Sequence, residues 1–221
     1  SYAYLNGHYS DFFEYNKSAL GGNDYLPLIY IFFAAWNFPL YLVGYNFVPD
    51  AGALYPHLDL NLLIVFWSKF LLVMVFLFTT SVVYKIAIEI QQEESAKTAR
   101  WLILTSPFAV FSIFIMGQYD IFGLYFAMLG VLFLLRGKNF AFSVLFSFAI
   151  SFKYFAVVIY FPLLFLVEKN AYRIFMHVAV AAFVTIFQFF LYSRWFLRFF
   201  FLNLFRFFLH CKRVLAWHHV L

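Results

Sequence analysis

Residues 101–135 read as two uncharged apolar walls separated by one polar island, Gly117-Gln118-Tyr119-Asp120. A helix needs about 20 apolar residues to cross the hydrocarbon of a bilayer. Walls of this kind leave few folds other than helices that use the bilayer as solvent. A carboxylate at such a junction lies at the membrane surface or just below it, where an ionisable group is costly and is a functional candidate by default. Composition agrees: 66% of the 221 residues are hydrophobic and 11% charged, with 36 Phe and 16 Tyr, against roughly half and a quarter in a soluble domain. No soluble core of this size could cover so many phenylalanines. The expected fold class is an all-α, polytopic transmembrane protein with a lumenal or extracellular loop and a re-entrant element.

Taken in order, residues 1–25 are an outer-face loop with an acidic motif at Asp11 and Glu14. Residues 26–60 supply re-entrant or interfacial helices and a loop. The stretch 26–48 is apolar but carries Pro27, Trp36, Asn37, Pro39 and Gly44, and a proline and an asparagine near its midpoint break the backbone ladder. Such a break at membrane depth needs cover from protein or a cavity, which favours a pair of short helices over a span. Residues 61–192 form the transmembrane bundle. It contains a span at 62–84 with the single charge Lys69, a charged connector at 85–100 and a wall at 101–116 kinked at Pro107. After the island come a wall at 121–135, the basic turn Arg136-Gly137-Lys138, and short legs 140–152 and 155–167 meeting at Lys153-Tyr154. A turn at 168–173 and a span at 174–192 follow, giving about five spans and a re-entrant element by the length rule. The basic-aromatic tail 193–221 reads as truncated, and the chain, which starts in a polar stretch without Met, as a fragment of a longer protein.

Charge sets an orientation. If the connector is cytoplasmic, Lys85, Lys97, Arg100, Arg136, Lys138, Lys169 and Arg173 share its side, while Lys17, Lys69 and Lys153 lie opposite. The positive-inside rule selects this arrangement. With 26–48 re-entrant, Asp11, the island and Lys153 face the same outer side; with 26–48 as a full span, Asp11 would face the cytoplasm. The net charge of +5 then resides in loops, where it sets topology and meets lipid phosphates; nothing supports nucleic-acid binding. The single cysteine, Cys211, excludes an internal disulfide and a Cys-based metal site. No zinc spacing, Gly-rich phosphate loop or nucleophile elbow is present, and no metal ligand set is assigned.

The outer face thus gathers Asp11, Glu14, Gln118, Tyr119, Asp120 and Lys153, with Arg194 and Arg198 one turn apart in the tail. Carboxylates beside cations suit a reaction in which a base activates a hydroxyl while cations hold a phosphate leaving group. Plainer roles exist for each. Asp11 and Glu14 can be solvated loop charges, Asp120 can cap the helix starting at Ile121, and Lys153 and Lys69 can snorkel to headgroups. Arg194 and Arg198 suit an interfacial amphipathic helix as well as a phosphate clamp. A transporter or flippase, or a non-catalytic membrane subunit, is the rival class. The interiors of 70–83, 121–135 and 175–187 are almost free of charge, which favours surface chemistry over conduction.

Tyr9-Ser10-Asp11-Phe12-Phe13-Glu14-Tyr15, followed by Asn23-Asp24-Tyr25-Leu26-Pro27-Leu28, resembles the first lumenal loop of GT-C glycosyltransferases. There an acidic motif precedes a Y-x-P-L-like start of a re-entrant helix. Ser106-Pro107 before the island, with Ile150-Ser151-Phe152-Lys153-Tyr154 and Pro162 behind it, is similar in order and spacing. The resemblance spans most of 9–166 and is to polyprenol-phosphate-sugar-dependent mannosyltransferases, including the catalytic subunit of GPI mannosyltransferase I and its bacterial relatives. It implies an inverting hexosyltransferase, mannose favoured, that moves the sugar from a polyprenyl-phosphate donor to an acceptor hydroxyl of a glycan or glycolipid. The site would lie on the outer or lumenal face of the plasma membrane or endoplasmic reticulum. Asp11 maps to the base, the island to a lumenal binding motif and Lys153 to a basic residue at a helix junction. Asp-x-x-Glu stands where the mannosyltransferases tend to have Asp-x-Asp, which leaves a divalent metal as an open requirement; no other cofactor is implied.

Overall fold

The structure, a computed structural model, describes residues 27–44, 62–90 and 93–191, with Leu5 and Gly7 as isolated positions. Lipid offers no hydrogen bonds, so apolar runs satisfy their backbone internally as helices, and the described elements are all helical. They are α1 (Pro27–Leu42), α2 (Leu62–Ile90), α3 (Glu93–Leu104), α4 (Pro107–Val110), a π-helical turn (Phe111–Ile115), α5 (Asp120–Leu135), α6 (Asn139–Phe152), α7 (Ala156–Val167) and α8 (Ala171–Leu191). The chain runs back and forth between two ends. The island end collects the starts of α2, α5 and α7 and the finishes of α6 and α8; the connector end collects their opposites.

Among the described residues two helices, or three if a bent pair counts as one, are long and apolar enough to cross a membrane, fewer than the five expected. Val65–Ile90 and Ala171–Phe190 are long and apolar enough to cross a membrane, and Glu93–Leu104 with Pro107–Ile115 qualifies only as one pair bent by 46°. Helices α5, α6 and α7 have 16, 14 and 12 residues, or about 24, 21 and 18 Å at 1.5 Å per residue, against ~30 Å of hydrocarbon. The bend falls at Pro107, which has no N–H and sits at the first position of α4 behind the Ser106 cap.

Helix α1 corrects a second expectation. It is one continuous helix through Pro39, not two short ones. Pro39 lies within a turn of the C-terminal end, so few backbone bonds are lost. The contacts that follow fall toward the island end of its neighbours. Leu28 N–H donates to Gln188 Oε1 of α8 at 3.0 Å, and Phe32 packs edge-on against Phe122 of α5 and Phe152 of α6. Trp36 stacks on Trp67 of α2 at 4.8 Å. Each of those two indole N–H groups donates to the other residue's carbonyl, at 3.0 and 3.1 Å.

Small residues let α5 and α6 approach closely: Ala127 is buried, and a Cβ added at Gly130 would lie 2.7 Å from Phe146 Cδ2. Phe142 and Phe146 in turn pack around Tyr160 of α7. The parallel helices α6 and α8 are joined by a serine stripe at i, i+4 and i+8. Ser143 Oγ lies 3.0 Å from Tyr160 Oη and 2.8 Å from His177 Nδ1. Ser147 Oγ accepts from Val184 N–H, and Ser151 Oγ meets Thr185 Oγ1 at 2.9 Å. At the connector end Arg136 pairs with Glu89 at 2.8 Å, and Gly137, with φ 72°, makes the tight turn. Asn170 Oδ1 caps α8 by accepting from Tyr172 and Arg173 N–H.

Candidate functional site

The polar island is presented by backbone distortion on one side and helix ends on the other. After Pro107 the chain winds wider than an α-helix, with Met116 N–H reaching Phe111 O at 3.0 Å. A π turn inside a helix is often found at functional sites. Lys69 of α2 braces it: Nζ donates to Phe114 O at 2.7 Å. Gly117 then takes φ 64°, a left-handed conformation that an L side chain adopts only at a cost. Gln118 N–H closes the turn onto Ser112 O at 3.1 Å.

Asp120 is the first residue of α5, and Tyr119 before it makes no side-chain cap. The expected capping by Asp120 of a helix starting at Ile121 is therefore replaced by another contact. Asp120 Oδ1 lies 2.8 Å from Lys153 Nζ, with the two side chains 37% and 26% exposed. Oδ1 accepts no aligned hydrogen bond, so the contact is an ion pair of charge on charge. A carboxylate here also complements the positive end of the α5 dipole.

Lys153 ends α6 in extended conformation, and the 153–155 junction turns the chain into α7, with Ala156 N–H donating to Lys153 O at 3.2 Å. The lysine is held close to α5 because residue 123 is glycine. A Cβ there would lie 3.2 Å from Lys153 Cβ and 3.5 Å from Ala149 O. Tyr119 packs edge-on against Phe33 of α1, ring centroids 5.0 Å apart, while Gln118 is exposed. The structure thus brings Gln118, Tyr119, Asp120 and Lys153 to one end of the bundle beneath α1. Asp11, Glu14, Arg194 and Arg198 lie outside the described residues.

This arrangement offers an oriented ammonium group, a carboxylate that holds it, an amide and a phenol, all partly open. Such a set can bind an anion and polar hydroxyls. Among the described residues no three of His, Cys, Asp and Glu come together to hold a metal ion. Sequence reasoning passed over two contributors. Lys69, for which the sequence suggests a headgroup role, serves the π turn, and its signal is being the lone charge of the apolar stretch 62–84. Gly123 carried a signal in its spacing to Ala127 and Gly130, one face of small residues.

The profile of glycosyltransferase family 87 matches residues 52–213, a stretch that includes α2 to α8, the island and Lys153. No curated protein and no solved structure matches the chain.

Proposed function

We propose, on the premise that the chain belongs to glycosyltransferase family 87 and is thus an integral membrane glycosyltransferase, that it moves a hexose, mannose in first place, from a polyprenyl-phosphate donor to an acceptor hydroxyl. The observation that carries this reading is the half-exposed Lys153–Asp120 pair at 2.8 Å, set where two helices too short to span meet beside a braced π turn. An ammonium aimed by a carboxylate at a membrane surface suits the phosphate of a lipid-linked sugar.

In this reading Asp11 takes the proton of the acceptor hydroxyl, with Glu14 as the neighbouring carboxylate. The acceptor oxygen forms a bond to the anomeric carbon on the face opposite the phosphate. The carbon–oxygen bond to phosphate breaks with inversion, and its electron pair leaves on the phosphate oxygen. Lys153 meets the charge that grows there, which is where a fixed cation contributes most. Asp120 keeps Lys153 in place, Gln118 and Tyr119 offer hydrogen bonds to sugar hydroxyls, and Arg194 and Arg198 clamp the phosphate. The outer or lumenal face follows from the positive-inside argument.

Conduction, the rival reading, needs polar groups free to line a path. The buried Ser143, Ser147 and Ser151 are instead engaged in hydrogen bonds between helices, which favours chemistry at the surface. The test is transfer of radiolabelled hexose from a polyprenyl-phosphate hexose by the full-length protein in membranes, wild type against Asp11→Asn. The expected result is a loss of about 100-fold or more with normal insertion. Full activity in Asp11→Asn would move the base to Glu14 or Asp120, and absence of transfer by wild type from every donor would remove the reading.

A further inference from the structure

Gln188 of α8 is 4% exposed and holds the first turn of α1 through Leu28 N–H to Oε1 at 3.0 Å. That bond fixes the orientation of the amide, because turning it over would set a donor against a donor. Nε2 is then the remaining group, and it is buried with no hydrogen-bond partner among the described residues. Buried donors nearly always have partners, so this one calls for a physical reason.

Its position supplies one. Ser143 to His177 and Ser151 to Thr185 share a separation of 34 residues along the parallel helices α6 and α8. Thr185, one turn before Gln188, meets Ser151, and Phe32, one turn past Leu28, packs on Phe152 next to Lys153. Gln188 and the start of α1 therefore lie toward the junction that holds Lys153. The first turn of α1, moored here, carries the partial positive charge of a helix N-terminus and contains no acidic residue. A helix start, an ammonium group and an amide N–H toward one junction are all electropositive, and together they suit an oxyanion.

We infer that Gln188 is a substrate-binding residue, its Nε2 donating to a phosphate oxyanion seated between the first turn of α1 and the Lys153 junction. The inference rests on the polyprenyl-phosphate reading above and adds a residue and a seat to it. Gln188 is thereby both mooring and ligand, Oε1 toward Leu28 and Nε2 toward the phosphate.

Gln188→Glu separates the two functions, since it keeps an acceptor for Leu28 N–H and loses the donor. Equilibrium binding of farnesyl phosphate and of neutral farnesol to the purified full-length protein provides a readout independent of turnover. The expected result is at least a ~10-fold weaker affinity of Gln188→Glu for farnesyl phosphate, with farnesol unchanged. Binding of farnesyl phosphate equal to wild type would overturn the inference and leave Gln188 a mooring alone. Wild type that binds farnesyl phosphate no better than farnesol would overturn both the inference and the donor reading. Competition by inorganic phosphate at equal concentration would keep Gln188 in place and assign the seat to free phosphate, not to a lipid. Should Gln188→Glu fail to insert, Gln188→Met is compared with Leu28→Pro, which removes the mooring N–H within the first helical turn, where proline is tolerated, together with the Leu28 side chain that packs on the core. The inference expects a ~10-fold loss in the first and under about threefold in the second; equal losses would overturn it.

Discussion

Along the seam between α6 and α8 the polar side chains are matched: Ser143 with Tyr160 and His177, Ser147 with Val184 N–H, Ser151 with Thr185. One turn farther, at the island end, matching among the described residues is incomplete. Gln188 Nε2 is buried without a partner among the described residues, Lys69 reaches into a π turn, and Lys153 leans on a carboxylate that is 37% exposed. Both regions are polar, and both join a short helix to one long enough to cross a membrane. The seam places its polar groups to join helices, where each hydrogen bond contributes modestly. On the proposed reading the island end places them to meet a charged ligand, beside bent backbone and with incomplete pairing. Buried polarity alone does not argue for a site; the proposal rests on incomplete pairing beside an oriented charge.

Several changes test this contrast from either side. Lys69→Met removes the brace from Phe114 O and lets the island drift. Because misplacement of about an ångström costs rate steeply, kcat/KM in the membrane transfer assay should fall roughly 100-fold while insertion is unchanged. The two glycines of α5 form a matched pair of smaller effects. Gly130→Ala drives a Cβ to 2.7 Å from Phe146 Cδ2 and should destabilise the seam by about 1–3 kcal/mol. This is read as a lower melting temperature in detergent, with the rate per folded molecule preserved. Gly123→Ala meets Lys153 Cβ at 3.2 Å and should do the reverse, lowering transfer roughly 10-fold with little change in melting. Equal stability losses and equal rate losses in the two variants would dissolve the contrast between seam and site.

The smallest effect belongs to the connector end. Asn170 N–H holds the Glu168 carboxylate below its ordinary range, with help from Lys169 N–H and the charges of Arg173 and His177 and against a desolvation that acts the other way. A carboxylate whose pKa is lower folded than unfolded stabilises the fold above its unfolded value. That stability is lost as pH falls through the unfolded value toward the folded one. Wild type should therefore melt slightly above Glu168→Gln at pH 7, and the gap should close below about pH 4. A gap that persists in acid would mean that Glu168 acts through packing.

Local features of this fold were legible in the sequence. Pro107 announces the bend, Arg136-Gly137-Lys138 the tight turn, and Lys153-Tyr154 the split between two short legs, because each is decided by its own residues. The all-α class was legible from the apolar runs alone. Spans were overcounted because apolarity does not report where a helix ends, and α5 to α7 stop before they are long enough to cross. Pro39 was weighted as a breaker without regard to its place near the end of α1, where it does little harm. What stayed hidden is long-range: the partner of Lys69 lies 45 residues away and that of Gln188 lies 160 away. Lys153 and Asp120 were both singled out, but that one would hold the other depends on Gly123, whose missing side chain carries no chemistry.

The central claim is that chemistry occurs at the island end and that the seam is scaffold. It is tested most directly by measuring sugar transfer from a radiolabelled polyprenyl-phosphate hexose for Lys153→Met and Ser147→Ala, at equal membrane insertion. The account predicts a rate at least ~100-fold below wild type for Lys153→Met, as for loss of one group that stabilises leaving charge. It predicts a rate within about twofold of wild type for Ser147→Ala, which removes one hydrogen bond between helices. Transfer by Lys153→Met at the wild-type rate, or equal losses in both variants, would contradict it.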